Sequence, residues 1–177
     1  ADPLTSEGVF VFDGGFGVDV ALGDIVRVRG TVTEYNGLTE VGSVSTVLVC
    51  STGASVTPTE VTLPVASLSD LEAFEGMLIT IPQELTVSEN YNLGRYGELF
   101  LSVNGRQYQG THLAAPGAPA LAQTDLNMRS RILLDDGNNL QNIDPTIYPT
   151  GGLTAINTLR SGYLVHTITG VLDYRFS

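Results

Sequence analysis

Short apolar runs, separated by glycine, asparagine and proline, divide most of the chain into strands and turns. From Ile25 onward, valines at 26, 28 and 32 alternate with arginine and threonine. Alternation with a period of two is typical of a strand with one buried face. Gly30 lies inside this strand and predicts a bulge or a sharp coil. Asn36-Gly37 is a hairpin signal, so the chain is expected to return in a strand pair at 39–41 and 45–50.

The same reasoning predicts the remaining elements. Further strands are predicted at 8–13 (a buried one), 77–87, 97–103, 106–109 and 164–174, and a strand followed by a turn at 131–137. Asn104-Gly105 is expected to join 97–103 and 106–109 as a hairpin. The stretch 67–75 has a serine cap, early acidic residues and a stop at Gly76, which predicts a short helix. A second short helix is predicted near 121–128, and 138–155 reads as irregular.

The pattern of the first part of the chain returns later. Residues 23–35 carry a strand with Gly30-Thr31-Val32, and 163–174 carry a strand with Thr169-Gly170-Val171. Short strands, glycine kinks and one helix that plugs a barrel end are typical of the OB-fold. We therefore predict a mainly β chain, with two OB-like small β-barrels, one short capping helix and long irregular loops. The predicted parts are a first unit at 1–57 that lacks its opening strand, a connector with the helix at 58–76, and a second unit at 77–177 with a loop insertion at 110–160.

Charge restricts the partners that the chain can bind. The net charge is −11, and all eight cations are arginine. This composition argues against strong sequence-independent binding of phosphate backbones, which needs dense positive charge. A nucleic-acid contact would have to use stacking, local arginines or a cation. An acidic chain without lysine fits a secreted protein, and no apolar run approaches the length of a membrane span.

The usual catalytic side chains form no recognisable set. Cys50 is the single cysteine, which excludes an internal disulfide, and its place after Val47-Leu48-Val49 predicts a small buried strand residue. His112 and His166 have neither triad nor metal-ligand spacing. No pair of acids marks itself as an acid/base couple. We therefore expect no catalytic residues in this chain.

The stretch 89–98 is the densest cluster of tyrosine, asparagine, arginine and glycine in the chain. Its glycines and asparagines predict a loop. Stacked bases and arginine contacts are how single-stranded nucleic acid is held. The candidate binding residues, with possible neighbours from other segments, are Tyr91, Asn92, Arg95, Tyr96, Arg106, Tyr108, Tyr35 and Arg175. The alternative is that the tyrosines fold back as amphipathic plugs; we prefer packing across the barrel for Tyr35 and exposure for Tyr91 and Tyr96.

An acidic turn is the candidate metal site. Asp135 and Asp136 precede Gly137, and Asp144 follows nearby. Calcium takes such hard oxygen ligands. The spacing is not that of an EF-hand loop, and acidic turns are commonly only solvated, so both interpretations stay open.

Five stretches, 23–39, 75–78, 89–98, 133–137 and 169–176, resemble the OB-like region of bacterial extracellular nucleases of the ExeM type. In such proteins a metal-dependent endonuclease/exonuclease/phosphatase domain follows this region. The resemblance implies a fragment: the non-catalytic β module of a secreted deoxyribonuclease, without a cofactor of its own. The divalent metal and the hydrolase activity would belong to the nuclease domain.

The resemblance also implies the partners of the module. They are single-stranded DNA, which the module would bind or position, and the nuclease domain of the same parent chain. Two alternatives stay open: a scaffold that packs on the nuclease domain without touching DNA, and an OB module that binds a carbohydrate or cell-surface polymer.

Overall fold

The computed structural model describes residues 5–174. In chain order, the elements are β1 (Phe10–Val11), β2 (Ile25–Tyr35), β3 (Leu38–Ser51), β4 (Thr59–Glu60), a 3-10 helix (Leu68–Phe74), β5 (Leu78–Glu89), α1 (Leu93–Tyr96), β6 (Leu99–Ser102), α2 (Gly110–Leu113), α3 (Ala118–Arg129), β7 (Arg131–Leu134) and β8 (Leu164–Val171). Strand residues outnumber helical ones, which confirms the mainly β prediction.

Both sheets are open in the described part of the chain. One sheet has three strands in the order β1-β3-β2. The other has five strands, in the order β4-β5-β6-β7 with β8 paired to β5. The two predicted closed barrels are therefore not seen among residues 5–174. None of the helices in this range is long and apolar enough to cross a membrane.

The chain forms two compact units. Unit 1 comprises Ala1–Glu60, Ser69–Thr80 and Thr169–Ser177, and unit 2 comprises Val61–Leu68 and Ile81–Ile168. Among the described residues, every buried apolar side chain except Ile79 belongs to unit 2. The hydrophobic core is therefore concentrated in unit 2.

Unit 1 is built on the β2–β3 ribbon. Tyr35 pairs with Leu38 around Asn36-Gly37, whose φ angles of 53° and 93° suit a tight hairpin turn. This confirms the predicted turn. The register shifts between Arg29 and Thr31, which confirms the predicted bulge. A Cβ at Gly30 would lie 2.6 Å from the carbonyl oxygen of Gly42, so the close approach of β2 and β3 at this point requires glycine.

Several burial predictions for unit 1 are wrong. β1 is only two residues long, and Phe10 is exposed. Val26 and Val32 of β2 are 39% and 68% exposed. Cys50 is exposed as well. Alternation marks an apolar face, but burial also needs a second layer over that face, and the ribbon does not bury these side chains.

Two element predictions for the first 76 residues also need correction. The predicted pair at 39–41 and 45–50 is one continuous strand, β3. The pairing with β2 is irregular between Gly42 and Thr46, so the bulge lies inside this strand. The predicted capping helix is a 3-10 helix that buries none of its residues. It does not act as the expected plug, since Leu68 remains exposed.

The strands of unit 2 follow the alternating pattern closely. β5 pairs antiparallel with β6, and β6 pairs antiparallel with β7. Leu99 and Leu101 of β6 are buried, together with Leu85 and Val87 of β5. This core face leaves Phe100, between the two buried leucines, on the opposite side of the sheet.

The segments after β6 differ from the sequence prediction. Asn104 and Gly105 form a turn with positive φ angles, as expected, but 106–109 is not a strand and leads into α2. The predicted hairpin is therefore wrong, because β6 pairs with β5 and β7 instead. The helix predicted near 121–128 is confirmed as α3, and 135–163 contains neither helix nor strand.

Candidate functional site

A groove of about 690 Å³ opens in unit 2 beside the outer face of the β5–β7 strands. Phe100 of β6 and Arg131 of β7 line its floor, and residues of α2 and α3 line its wall. The two helices lie so close together that a Cβ on Gly110 would collide with the carbonyl oxygen of Ala120. Volumes of roughly 300–1,000 Å³ are usual for ligand sites, so the groove is large enough to hold one.

Two aromatic rings at the groove each lie beside a guanidinium group. The Cζ atom of Arg131 is 4.4 Å from the Phe100 ring centroid. That of Arg106 is 4.8 Å from the Tyr108 centroid. Both distances are within the range of a cation–π contact. In each pair the guanidinium lies over the ring, so the guanidinium plane itself is a flat, cationic surface on which a base can stack.

The arginines of unit 2 divide into bound and available ones. Arg129 donates to Asp125 and to the carbonyl of Val65, and Arg95 and Arg160 donate to neighbouring side chains. Arg106 and Arg131, by contrast, form no side-chain hydrogen bond or ion pair with any residue in the described range 5–174. Their N–H donors are therefore available to a ligand.

Tyr108 is held in place although its segment is not a strand. The Gln107 amide N–H donates to Ser88 Oγ at 2.9 Å. The Gln107 side chain donates to the carbonyl oxygen of Asn127, and Asn127 Nδ2 donates to that of Tyr108 at 2.7 Å. The ring of Tyr108 remains 47% exposed. Thus α3 and β5 fix the backbone of this segment while the ring faces solvent.

A smaller depression continues from the groove. It is lined by Tyr91 and Leu133, among others, and shares Glu89 and Phe100 with the groove. Tyr91 is 88% exposed, which excludes a plug role for it. Phe100 therefore lies between two solvent-facing tyrosines, Tyr91 and Tyr108, in one connected surface of unit 2. We call this surface the aromatic groove.

The stretch predicted as a loop contains the short helix α1. Leu93 is buried and ties the helix to the core, and Gly97 ends it in the left-handed region at φ 73°. A Cβ on Gly97 would collide with the Asp136 side chain. Arg95 lies over the half-buried Tyr96 ring at 4.9 Å, and neither residue lines the aromatic groove.

The remaining predicted residues lie in different places. Asn92 lines the smaller depression, where its Nδ2 donates to Glu98 Oε2 at 2.7 Å. Tyr35 belongs to unit 1 and is 60% exposed, so it does not pack across a barrel. Arg175 lies outside the described residues. The structure thus brings Tyr91, Asn92 and Tyr108 to the aromatic groove, with Arg106 stacked on the last.

Sequence reasoning missed Phe100, Arg131 and Glu89. Phe100 stands between two leucines in an apolar run, where nothing distinguishes it as a binding residue. Its alternation with Leu99 and Leu101 was the signal that it faces the other way. Arg131 is the first residue of β7 and pairs with Ser102 of β6. No pattern in the sequence near Arg131 predicts this pairing.

Tyr148 anchors the long irregular segment after β7. Its hydroxyl donates to the carbonyl oxygen of Gly97 and lies 3.3 Å from that of Leu134. Burial raises the pKa of Tyr148 well above its ordinary value, and the nearby negative charges of Asp136, Asp135 and Glu98 add to the effect. The phenol therefore remains a donor, and it supports the end of α1 beside the aromatic groove.

The aspartates of the acidic turn accept hydrogen bonds from backbone amides of the same turn. Asp135 Oδ1 accepts from the Gly137 amide at 2.7 Å, and Asp136 Oδ1 accepts from the Asn138 amide at 2.9 Å. Asp144 is exposed. Within residues 5–174, no cluster of three or more His, Cys, Asp or Glu suited to a metal is found. The calcium site stays a prediction.

The acidic charge is distributed unevenly between the units. Unit 1 has three arginines and twelve carboxylates, a formal charge of −9. Unit 2 has five arginines and seven carboxylates, a formal charge of −2. The repulsion expected from the overall charge therefore applies much less to the unit that carries the aromatic groove.

No protein-family model, curated protein or solved structure matches this chain.

Proposed function

We propose that unit 2 binds single-stranded DNA in the aromatic groove, as the non-catalytic β module of a secreted nuclease. The observation that carries this proposal is the pair of aromatic rings, Phe100 and Tyr108, each beside a guanidinium with unbonded donors. Bases stack on aromatic and guanidinium planes, and arginine donors bind phosphate oxygens. Each stacked base contributes roughly 1–3 kcal/mol.

The size and charge of the site support a short, weak contact. Tyr91 and the two pairs, Arg131–Phe100 and Arg106–Tyr108, offer three stacking positions along one connected surface. Arg106 and Arg131 offer two phosphate contacts. For single strands, the logarithm of the binding constant falls by about 0.7 per neutralised phosphate for each tenfold rise in salt, so we expect a slope of about −1.4. Such binding would serve a module that holds a strand for a tethered catalytic domain.

The link to a nuclease and to the OB-fold is part of the same proposal. The nuclease assignment is supported by the sequence resemblance at 89–98 and the other matching stretches. The OB-like relation is supported by outward-facing residues on neighbouring antiparallel strands, Phe100 and Leu133, since OB-folds bind oligonucleotides on a sheet face. In this view the module feeds single-stranded DNA to the nuclease domain of its parent.

Fluorescence anisotropy with a labelled 12-nucleotide single strand tests the proposal. Tyr108→Ala and Arg131→Ala should each weaken binding by about fivefold or more, the lower end of one lost stacking contact. Tyr35→Ala removes a tyrosine of similar exposure from unit 1 and should leave the affinity unchanged. Circular dichroism checks that each variant folds. Equal affinities for wild type, Tyr108→Ala and Arg131→Ala would contradict the proposal.

The exposed apolar surface of unit 1 favours a second candidate, the scaffold. Val26 and Val32 of β2 are both exposed and, an even number of residues apart, project from one face of the strand. Exposed apolar patches commonly mark protein interaction sites. In this alternative, unit 1 packs on the nuclease domain. Co-purification of a separately produced ExeM-type nuclease domain should be lost in a Val26→Asp, Val32→Asp variant. Unchanged co-purification, or none with the wild type, would exclude this surface.

A further inference from the structure

Glu89 occupies the centre of the aromatic groove. It is the last residue of β5 and the cross-strand partner of Phe100. Directly paired residues project from the same face of a sheet, so the carboxylate stands beside the Phe100 ring. Glu89 is exposed and lines both the groove and the smaller depression.

The Glu89 carboxylate is unpaired. It forms no hydrogen bond or ion pair with another residue of the described chain, although Arg131 lines the same groove. Glu98, in the adjoining depression, accepts a hydrogen bond from Asn92. An ionised carboxylate has only acceptors to offer, so Glu89 is free to accept from a ligand.

A carboxylate in a groove for a polyanion opposes binding unless the ligand gives it donors. Phosphates give none, whereas base edges do. Guanine carries a ring N–H and an amino group side by side, which match the two carboxylate oxygens. Adenine and cytosine carry an amino group, and glutamate is known to accept from that of cytosine. Thymine has no amino group, and its one ring N–H lies between two carbonyl oxygens that repel a carboxylate.

We infer that Glu89 makes the aromatic groove selective among bases, with guanine preferred and thymine disfavoured. The inference rests on the proposed function, because a base must first stack on the Arg131–Phe100 pair. The stacked base then turns its Watson–Crick edge toward Glu89, while the in-plane N–H groups of Arg131 bind the adjoining phosphate. Glu89 thereby converts a sequence-tolerant stacking surface into one that reads a single position.

Three labelled 12-mers test this inference by anisotropy: all thymidine, the same strand with one central guanosine, and the same strand with inosine at that position. The guanosine strand should bind at least about fivefold tighter than the thymidine strand, the lower end of a bidentate base contact. Inosine lacks the amino group and should bind with intermediate affinity.

Glu89→Gln should remove most of this difference while leaving binding of the thymidine strand equal or stronger. Glu84→Gln is the matched control, because Glu84 is an exposed carboxylate of the same strand that lies outside the groove lining. It should keep the guanosine preference. Equal binding of all three strands to the wild type would overturn the inference and leave the proposed function standing. Absence of binding by every strand would overturn both.

Discussion

Removal of the Tyr148 hydroxyl should lower the stability of the chain, because the hydroxyl holds the end of α1 beside the aromatic groove. The hydroxyl donates to the carbonyl oxygen of Gly97, at the end of α1, and lies near that of Leu134 in β7. Tyr148→Phe keeps the ring and removes the donor. One net hydrogen bond contributes about 0.5–1.5 kcal/mol, and a carbonyl left buried without a partner adds to the loss. We expect the free energy of unfolding to fall by about 1–2 kcal/mol.

The same hydroxyl predicts a dependence on alkaline pH. Burial raises the pKa of Tyr148 above the usual tyrosine value, which is about 10. A raised pKa in the folded state means that stability is complete below about pH 10 and falls as the pH rises further. The chain has no lysine, so tyrosines dominate titration in this range. Tyr148→Phe should therefore flatten the fall in stability above pH 10.

Urea unfolding followed by circular dichroism, at pH 7 and at intervals from pH 9 to 11.5, measures both effects. Tyr91→Phe is the control, because Tyr91 is 88% exposed and makes no side-chain hydrogen bond with a residue of the described range. It should match the wild type at every pH. Equal stability of Tyr148→Phe and wild type at pH 7, with the same slope above pH 10, would refute the anchoring role of Tyr148.

Three further predictions follow from single contacts. Gly30→Val places a Cβ 2.6 Å from the Gly42 carbonyl oxygen and should lower the free energy of unfolding by about 1–3 kcal/mol. Gly170→Ala is the control: its Cβ meets nothing within 4 Å, so the melting temperature should change little. Asn127→Ala removes the bond to the Tyr108 carbonyl, so amide hydrogen exchange at 106–109 should accelerate severalfold; unchanged exchange would show that this bond does not hold the segment. Cys50 is exposed and should react fully with a thiol reagent in native buffer; reaction only after denaturation would contradict this.

Local signals in the sequence predicted local structure well. Asn36-Gly37 specified a turn and Gly30 a bulge, because both depend on backbone conformations that few other residues adopt. The helix near 121–128 was also predicted from sequence. Burial was predicted poorly in unit 1, since Val32 and Cys50 carry the right pattern but remain exposed within the described residues.

The candidate site was predicted only in part, for a related reason. Tyr91, Arg106 and Tyr108 were chosen for their chemistry, and the structure places them at or beside one surface. Phe100 and Arg131 were missed because their exposure and pairing depend on strand register and on the approach of α2 and α3. Such non-local contacts leave no motif at any one position.

Hydrogen exchange with and without a saturating 12-nucleotide single strand tests the central claim most directly. Our account predicts slower exchange in two segments that form the aromatic groove, 88–110 and 118–133, and no change in the β2–β3 ribbon at 25–51. Protection confined to the ribbon, or no protection in unit 2 at a concentration where anisotropy reports binding, would contradict the assignment of the DNA site to the aromatic groove.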